Sequence, residues 1–134
     1  MSRRLGDQTR HIEMKKRASS DSTITPTLRT LLDSLGLLRD LDPEMSLSTA
    51  MSFLHVAVNA DFGITATELS STLNLANSGP RRHMDLLSKR GRGGKIGLNL
   101  VVEEIDDMDR RSKRFLPSVR GRRLASAMVG KLRQ

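Results

Sequence analysis

The feature that most constrains the fold is the stretch Ile64-Thr65-Ala66-Thr67-Glu68-Leu69. Thr65 and Glu68 have capping-box spacing, in which each side chain satisfies a backbone N–H left open by the first helical turn. Ile64 before the cap and Leu69 at the fourth helical position add a hydrophobic staple. The helix is short and closes by Leu73-Asn74-Leu75. A second helix begins at Asn77 or Ser78 and is expected over residues 77–90. Pro80 is tolerated there because it lies in the first turn. A helix fixed this tightly, ended this soon and followed at once by another reads as a helix–turn–helix.

The second helix sorts its residues by face. Pro80, Met84 and Leu87 share one side, with His83 at its edge. Ser78, Arg81, Arg82, Asp85 and Lys89 occupy the other. Apolar residues would dock this helix on the one before, and short polar and arginine side chains suit a major groove. An ordinary amphipathic helix with a basic outer face has the same pattern. The distribution of charge separates the two readings. The 134-residue chain carries a formal charge of +8. Residues 26–75 hold two basic and six acidic groups, whereas residues 76–134 hold fifteen basic and six acidic. A mildly acidic scaffold joined to a concentrated basic surface points to a polyanionic partner.

Composition narrows that partner. No apolar run approaches the roughly 18 residues needed to cross a bilayer. The basic N-terminus lacks the apolar segment of a secretory signal. A cytoplasmic location beside the nucleoid is therefore expected, with no membrane partner. Cysteine is absent, which excludes disulfides, zinc knuckles and thiol catalysis. Tryptophan and tyrosine are absent and phenylalanine occurs three times, which argues against modules that stack single-stranded bases on aromatic rings. The core has to come from twenty leucines with valine, isoleucine and methionine. The length suits one domain.

Residues 1–24 read as a flexible basic arm, with Arg3, Arg4, Arg10, Lys15, Lys16 and Arg17 free to follow a DNA backbone, or as a leader that contacts nothing. Residues 25–134 form the domain. Thr25-Pro26 is expected to open its first helix, with threonine as N-cap and proline at the first helical position. Leu28, Leu31, Leu32, Leu35, Leu38 and Leu41 recur at helical spacing, and Leu37 widens the stripe. Such a stripe buries against a second subunit or against its own domain. Asp42-Pro43 ends the helix. A second begins near Ser46 to Ser48, with Leu47, Ala50, Met51, Leu54, Ala57 and Val58 as its expected buried face. Met51 and Phe53 read as packing residues. His55 has no companion histidine at metal spacing.

Beyond the helix–turn–helix, Arg90-Gly91-Arg92-Gly93-Gly94-Lys95-Ile96-Gly97 lacks the spacing of a Walker phosphate loop. It reads as a flexible turn whose Arg92 and Lys95 lie near DNA. Residues 98–105 are rich in β-branched side chains and read as a strand. Lys113-Arg114-Phe115-Leu116 returns as a second, which gives a β-hairpin with a basic tip. Asp106, Asp107 and Asp109 lack EF-hand spacing. Asp109 is expected to pair with a nearby arginine and fix the hairpin. A last helix runs from about Ser118 to Leu132, with Leu124, Ala127, Met128 and Leu132 on one side and Arg120, Arg122 and Arg123 near its first turn.

The order of these parts resembles the winged-helix domain of the MarR family of bacterial transcription regulators, over roughly residues 45–127. Ile64 to Ser70 is similar to the family's helix ahead of the recognition helix, and Leu73 to Leu87 to its turn and recognition helix. Asp109-Arg110-Arg111-Ser112-Lys113-Arg114-Phe115-Leu116-Pro117-Ser118-Val119-Arg120-Gly121-Arg122 resembles its wing motif and is the most specific of the three. The chain departs from the pattern at Pro117, where a capping threonine is usual, in its longer glycine-rich segment and in its N-terminal arm. The resemblance implies a mainly α fold with a small β-hairpin wing, a winged helix-turn-helix. It also implies a homodimer on double-stranded DNA, with recognition helices in successive major grooves and a wing arginine in a minor groove. Carried over by position, Arg111 is that arginine, Asp109 its orienting partner, and Ser78, Arg81 and Arg82 the groove readers.

The expected DNA-binding set is Asn77, Ser78, Arg81, Arg82, Lys89, Arg92, Lys95, Arg110, Arg111 and Lys113. No enzymatic role, cofactor or metal is expected, because no carboxylate pair, Ser–His–Asp set or metal cluster stands out. Two other functions share these features. One is a non-specific DNA-binding accessory protein. The other is a winged helix that contacts RNA polymerase or another part of the transcription machinery.

Overall fold

The computed structural model describes residues 22–74, 79–105, 108 and 113–134, and of Arg92 only the backbone. Helices α1 (Ile24–Leu41) and α2 (Leu47–Val58) lead to a short strand, β1 (Ile64–Thr65). Helices α3 (Ala66–Leu73) and α4 (Gly79–Leu87) follow, then a 3-10 turn (Arg92–Gly94). Strands β2 (Val101–Ile105) and β3 (Lys113–Pro117) and helix α5 (Val119–Leu132) complete the domain.

The first helix starts earlier than the sequence suggests. Thr23, not Thr25, holds the N-cap position, and its side chain makes no cap bond. Pro26 therefore sits inside the first turn, where backbone N–H groups have no intrahelical partner and its missing donor costs little. At the other end Asp42 is extended, as the residue before a proline prefers. Helix α2 begins where expected, with Ser46 Oγ accepting from the Thr49 N–H at 3.1 Å.

The buried face of α2 differs from the expected one. Ala50, Leu54 and Ala57 meet the core as expected, but Thr49, Ser52, Phe53 and Val56 are buried as well, while Leu47, Met51 and Val58 are 72%, 40% and 82% exposed. Apart from His55 in its last turn, helix α2 carries no ionisable side chain, so no charged face marks its outer side, and apolar residues lie all round it. Phe53, Val56, Leu69, Met84, Leu87, Leu100, Val101 and Phe115 form the centre of the core.

The capping box is present in its Thr65 half, whose Oγ1 accepts from the Glu68 N–H at 3.1 Å. The same residues do a second job. Ile64 and Thr65 pair with Phe115 and Arg114 of β3, which makes the wing a three-stranded antiparallel sheet of order β1-β3-β2 where a two-stranded hairpin was expected. In the hairpin Val101 pairs with Pro117 and Ile105 with Lys113.

The strand expected from residue 98 starts only at Val101. The amides of Leu98 and Leu100 instead donate to the Leu86 and Leu87 carbonyls at 3.0 and 2.7 Å, which ties this segment to the end of α4. Ser118 caps α5, accepting from the Gly121 N–H at 2.9 Å and donating to the Asn99 carbonyl at 2.7 Å. It thereby supplies the cap that Pro117 cannot. Gly121 is needed because a Cβ there would overlap the Leu100 carbonyl oxygen. Gly121 and Met128 are the buried residues of α5, whereas Ala127, expected on that side, is exposed. Helix α5 packs along α1, and the buried Ser34 hydroxyl donates to the Met128 carbonyl at 3.0 Å.

Candidate nucleic-acid interface

The outer face of α4 is set by its inner one. Pro80, Met84 and Leu87 are buried against the domain, as the sequence pattern requires. At 100° per residue, Arg81 and Arg82 then face solvent, and both are exposed. They differ in their surroundings. Arg81 Nε lies 3.4 Å from Asp85 Oδ1, and its Nη1 lies 4.0 Å from Glu103 Oε1. Among the described residues Arg82 has no ion-pair partner.

Glu103 also lies 3.3 Å from Lys113 Nζ. This carboxylate on β2 therefore joins α4 to the return strand of the wing. Sequence reasoning did not single it out. The available signal was an acidic residue on a strand of the otherwise basic half, but its partners sit 22 residues before and 10 after it. Only the folded hairpin and the packing of α4 bring them together.

His83 lies at the edge of the buried face, as expected. Its Nδ1 is 2.8 Å from Thr49 Oγ1, which is itself 2.9 Å from Ser46 Oγ. Partial burial and then the Arg82 guanidinium hold the imidazole below its usual pKa, so the neutral ring is favoured.

Helix α4 ends at Leu87, so Lys89 is not on it as expected. The following segment folds back as a small hairpin where a flexible turn was expected. Arg90 bridges to Ile96, the Gly91 amide donates to the Lys95 carbonyl at 2.8 Å, and the Gly97 amide donates to the Lys89 carbonyl at 3.1 Å. Gly97 passes so close to the Ser88 carbonyl that a Cβ would overlap it. That approach turns the chain away from the helix axis. Lys89, Arg90 and Lys95 are exposed on this hairpin, and Arg92 opens its 3-10 turn.

The structure thus brings Arg81 and Lys113 together through Glu103 and sets Lys89 and Lys95 on one ordered loop directly after α4. Asn77, Ser78, Asp109, Arg110 and Arg111 lie outside the described residues. Among the described residues no helix is long and apolar enough to cross a membrane.

No protein-family model matches the chain, and no curated protein matches it. Among solved structures it is similar to the S. aureus MepR–DNA complex, with 16% identity, 96% of this chain and 82% of that chain covered, and a TM-score of 0.60. It is similar to RV1404 from Mycobacterium tuberculosis at 14% identity over 92% and 73%, with a TM-score of 0.59. The transcriptional repressor CouR, bound to a 23-mer DNA duplex, aligns at 21% identity over 84% and 71%, with a TM-score of 0.54. What is shared at these identities is the fold, a mainly α winged helix-turn-helix with a small β wing, as in MarR.

Proposed function

We propose that the protein is a transcription regulator that binds double-stranded DNA as a homodimer. The observation that carries this reading is the geometry of α4. Its apolar side is sealed into the domain, and Arg81 and Arg82 stand on its free side, flanked by the cationic loop after the helix and the basic return strand of the wing. In a major groove Arg82 is the more available base reader, because an unpaired guanidinium fork matches two acceptors on guanine at once. Arg81 exchanges its weak contacts with Asp85 and Glu103 for a base or phosphate. Asn77 and Ser78 lead the same helix into the groove. Lys89, Arg92, Lys95 and Lys113 meet phosphates, and Arg110 and Arg111 enter the adjacent minor groove, with Asp109 orienting the wing. The structures of MepR and CouR with DNA support this use of the fold. The protein acts in the cytoplasm, on the chromosome or on DNA that enters the cell.

The test is selection of bound duplexes from a random pool, followed by titration at several salt concentrations. An enriched, roughly palindromic site is expected, with a salt slope of about 0.9 per phosphate contacted. Substituting Arg82→Ala is expected to relax preference at one position of each half-site, at about 1–3 kcal/mol. Steep salt dependence with no enriched site would identify a non-specific accessory protein instead. No duplex binding at low salt would move the search to protein partners such as RNA polymerase.

A further inference from the structure

Asp85 is the only acid on α4, and it stands inside the arginine face of that helix. At about 100° per residue it projects about 40° to one side of Arg81 and about 60° to the other side of Arg82, so it lies between the two. Pro80, Met84 and Leu87 hold the buried side. A DNA-bound α4 therefore carries a carboxylate into the middle of its contact surface.

Helix stability does not account for an acid at this position. Asp85 lies in the last turn of α4, where the negative end of the helix dipole disfavours a carboxylate. Its pair with Arg81 has the weaker order, with the cation N-terminal to the acid. The Nε–Oδ1 distance is 3.4 Å and the two side chains are 65% and 29% exposed, so the pair adds little. Phosphate binding does not account for it either. Phosphates are anionic and offer only acceptors, so they repel a carboxylate on every sequence. A donor on the DNA would offset both costs, and in the major groove the donors are the amino groups of the bases.

We propose that Asp85 sets sequence preference by accepting a hydrogen bond from the N4 amino group of cytosine. The inference rests on the reading of α4 as the helix that enters the major groove. In that groove cytosine alone presents a donor with no acceptor. Adenine sets N7 beside its amino group, and guanine and thymine present acceptors. When Arg81 turns to the DNA, the Asp85 carboxylate loses that guanidinium. Opposite cytosine it gains a donor in exchange. Opposite any other base its charge meets an acceptor, so wrong sites are disfavoured along with right ones being favoured. Arg82 and Asp85 are three residues apart, about 4.5 Å along the helix, which compares with about 3.4 Å between stacked base pairs. The cytosine thus lies within about two base pairs of the guanine assigned to Arg82. Glu103 touches the same Arg81 from β2, outside the helix, whereas Asp85 travels into the groove with α4.

The test compares full-length wild type, Arg82→Ala, Asp85→Ala and Asp85→Asn by selection from one random duplex pool. Circular dichroism checks the helicity of each variant, and Asp85→Asn keeps the shape of the side chain. Arg82→Ala marks the guanine of the half-site. The wild-type site is expected to hold a cytosine within about two base pairs of that guanine, and replacing it should weaken binding about tenfold or more. Asp85→Ala is expected to lose the cytosine, keep the guanine and bind an unrelated duplex about twofold more tightly at low salt. Asp85→Asn is expected to select adenine in its place, because an amide matches adenine N6 and N7 together. A wild-type site without that cytosine would overturn the role of Asp85 and leave the DNA-binding regulator standing. So would an Asp85→Ala protein that still selects it or that binds every duplex more weakly. A wild type that enriches no site would overturn both.

Discussion

His83 Nδ1 on α4 and Thr49 Oγ1 on α2 lie 2.8 Å apart, which makes them a polar tie between α4 and the helix beneath it. The Thr49 hydroxyl has one proton to give. With the imidazole neutral and Nδ1 accepting, Thr49 donates to His83 and Ser46, 2.9 Å away, donates to Thr49. Protonation turns Nδ1 into a donor and reverses that chain. It also places a second positive charge beside Arg82.

The sign of the pH dependence follows. The folded state holds His83 below its usual value of 6.5 because burial and then Arg82 disfavour the charged ring. Stability from this group is complete above the unfolded value and is lost as pH falls from there through the depressed folded value. Denaturant unfolding at pH 7.5 and at pH 5.5 is expected to show a loss for the wild type that is smaller in His83→Gln. Equal losses in the two proteins would remove His83 as the cause. Thr49→Val is expected to cost about 1 kcal/mol at pH 7.5, the ordinary net value of one hydrogen bond.

Glu103 restrains the two cations it touches, Arg81 and Lys113. All three side chains are partly exposed, so these pairs add little to stability. On DNA the carboxylate would face phosphates, and Arg81 would have to leave it. Glu103→Gln is therefore expected to bind duplex DNA more tightly by about 0.5–1 kcal/mol at low salt, a gain that shrinks as salt rises. Unchanged or weaker binding in a salt titration would place Glu103 away from the bound DNA.

The hairpin after α4 depends on Gly97. A methyl group there overlaps the Ser88 carbonyl oxygen, and backbone cannot yield as a side-chain tip does. Gly97→Ala is expected to cost about 1–3 kcal/mol in unfolding free energy, as overpacking typically does. Its DNA affinity should fall further than that of Lys95→Ala, because Lys89, Arg92 and Lys95 all ride on the same hairpin. Equal losses in affinity would show that the hairpin's shape does not matter to binding.

Legibility followed the range of the forces involved. The Thr65 cap, the Asp42-Pro43 stop and the alternation of buried and exposed residues on α4 are local, and the sequence places them correctly. The pairing of Ile64 with Phe115 is not local, and a strand of two residues leaves no periodic trace. The turn after Leu87 depends on Gly97 meeting Ser88, a contact that glycine content alone does not reveal. The Glu103 bridge needs the helix, both wing strands and their register at once. On α2 the apolar pattern runs all round the helix, so periodicity gives two opposed solutions and only packing chooses between them.

That choice can be measured with two of the three phenylalanines. Phe53 on α2 is fully buried, whereas Phe62 in the turn before β1 is 84% exposed. Phe53→Ala removes a ring from the centre of the core and leaves a cavity, so it is expected to cost about 3–5 kcal/mol. Phe62→Ala removes the same atoms from solvent-facing surface and is expected to stay within about 0.5 kcal/mol of the wild type. Both values come from urea unfolding followed by circular dichroism. If Phe53→Ala were as mild as Phe62→Ala, α2 would be turned the other way, with Leu47, Met51 and Val58 inside.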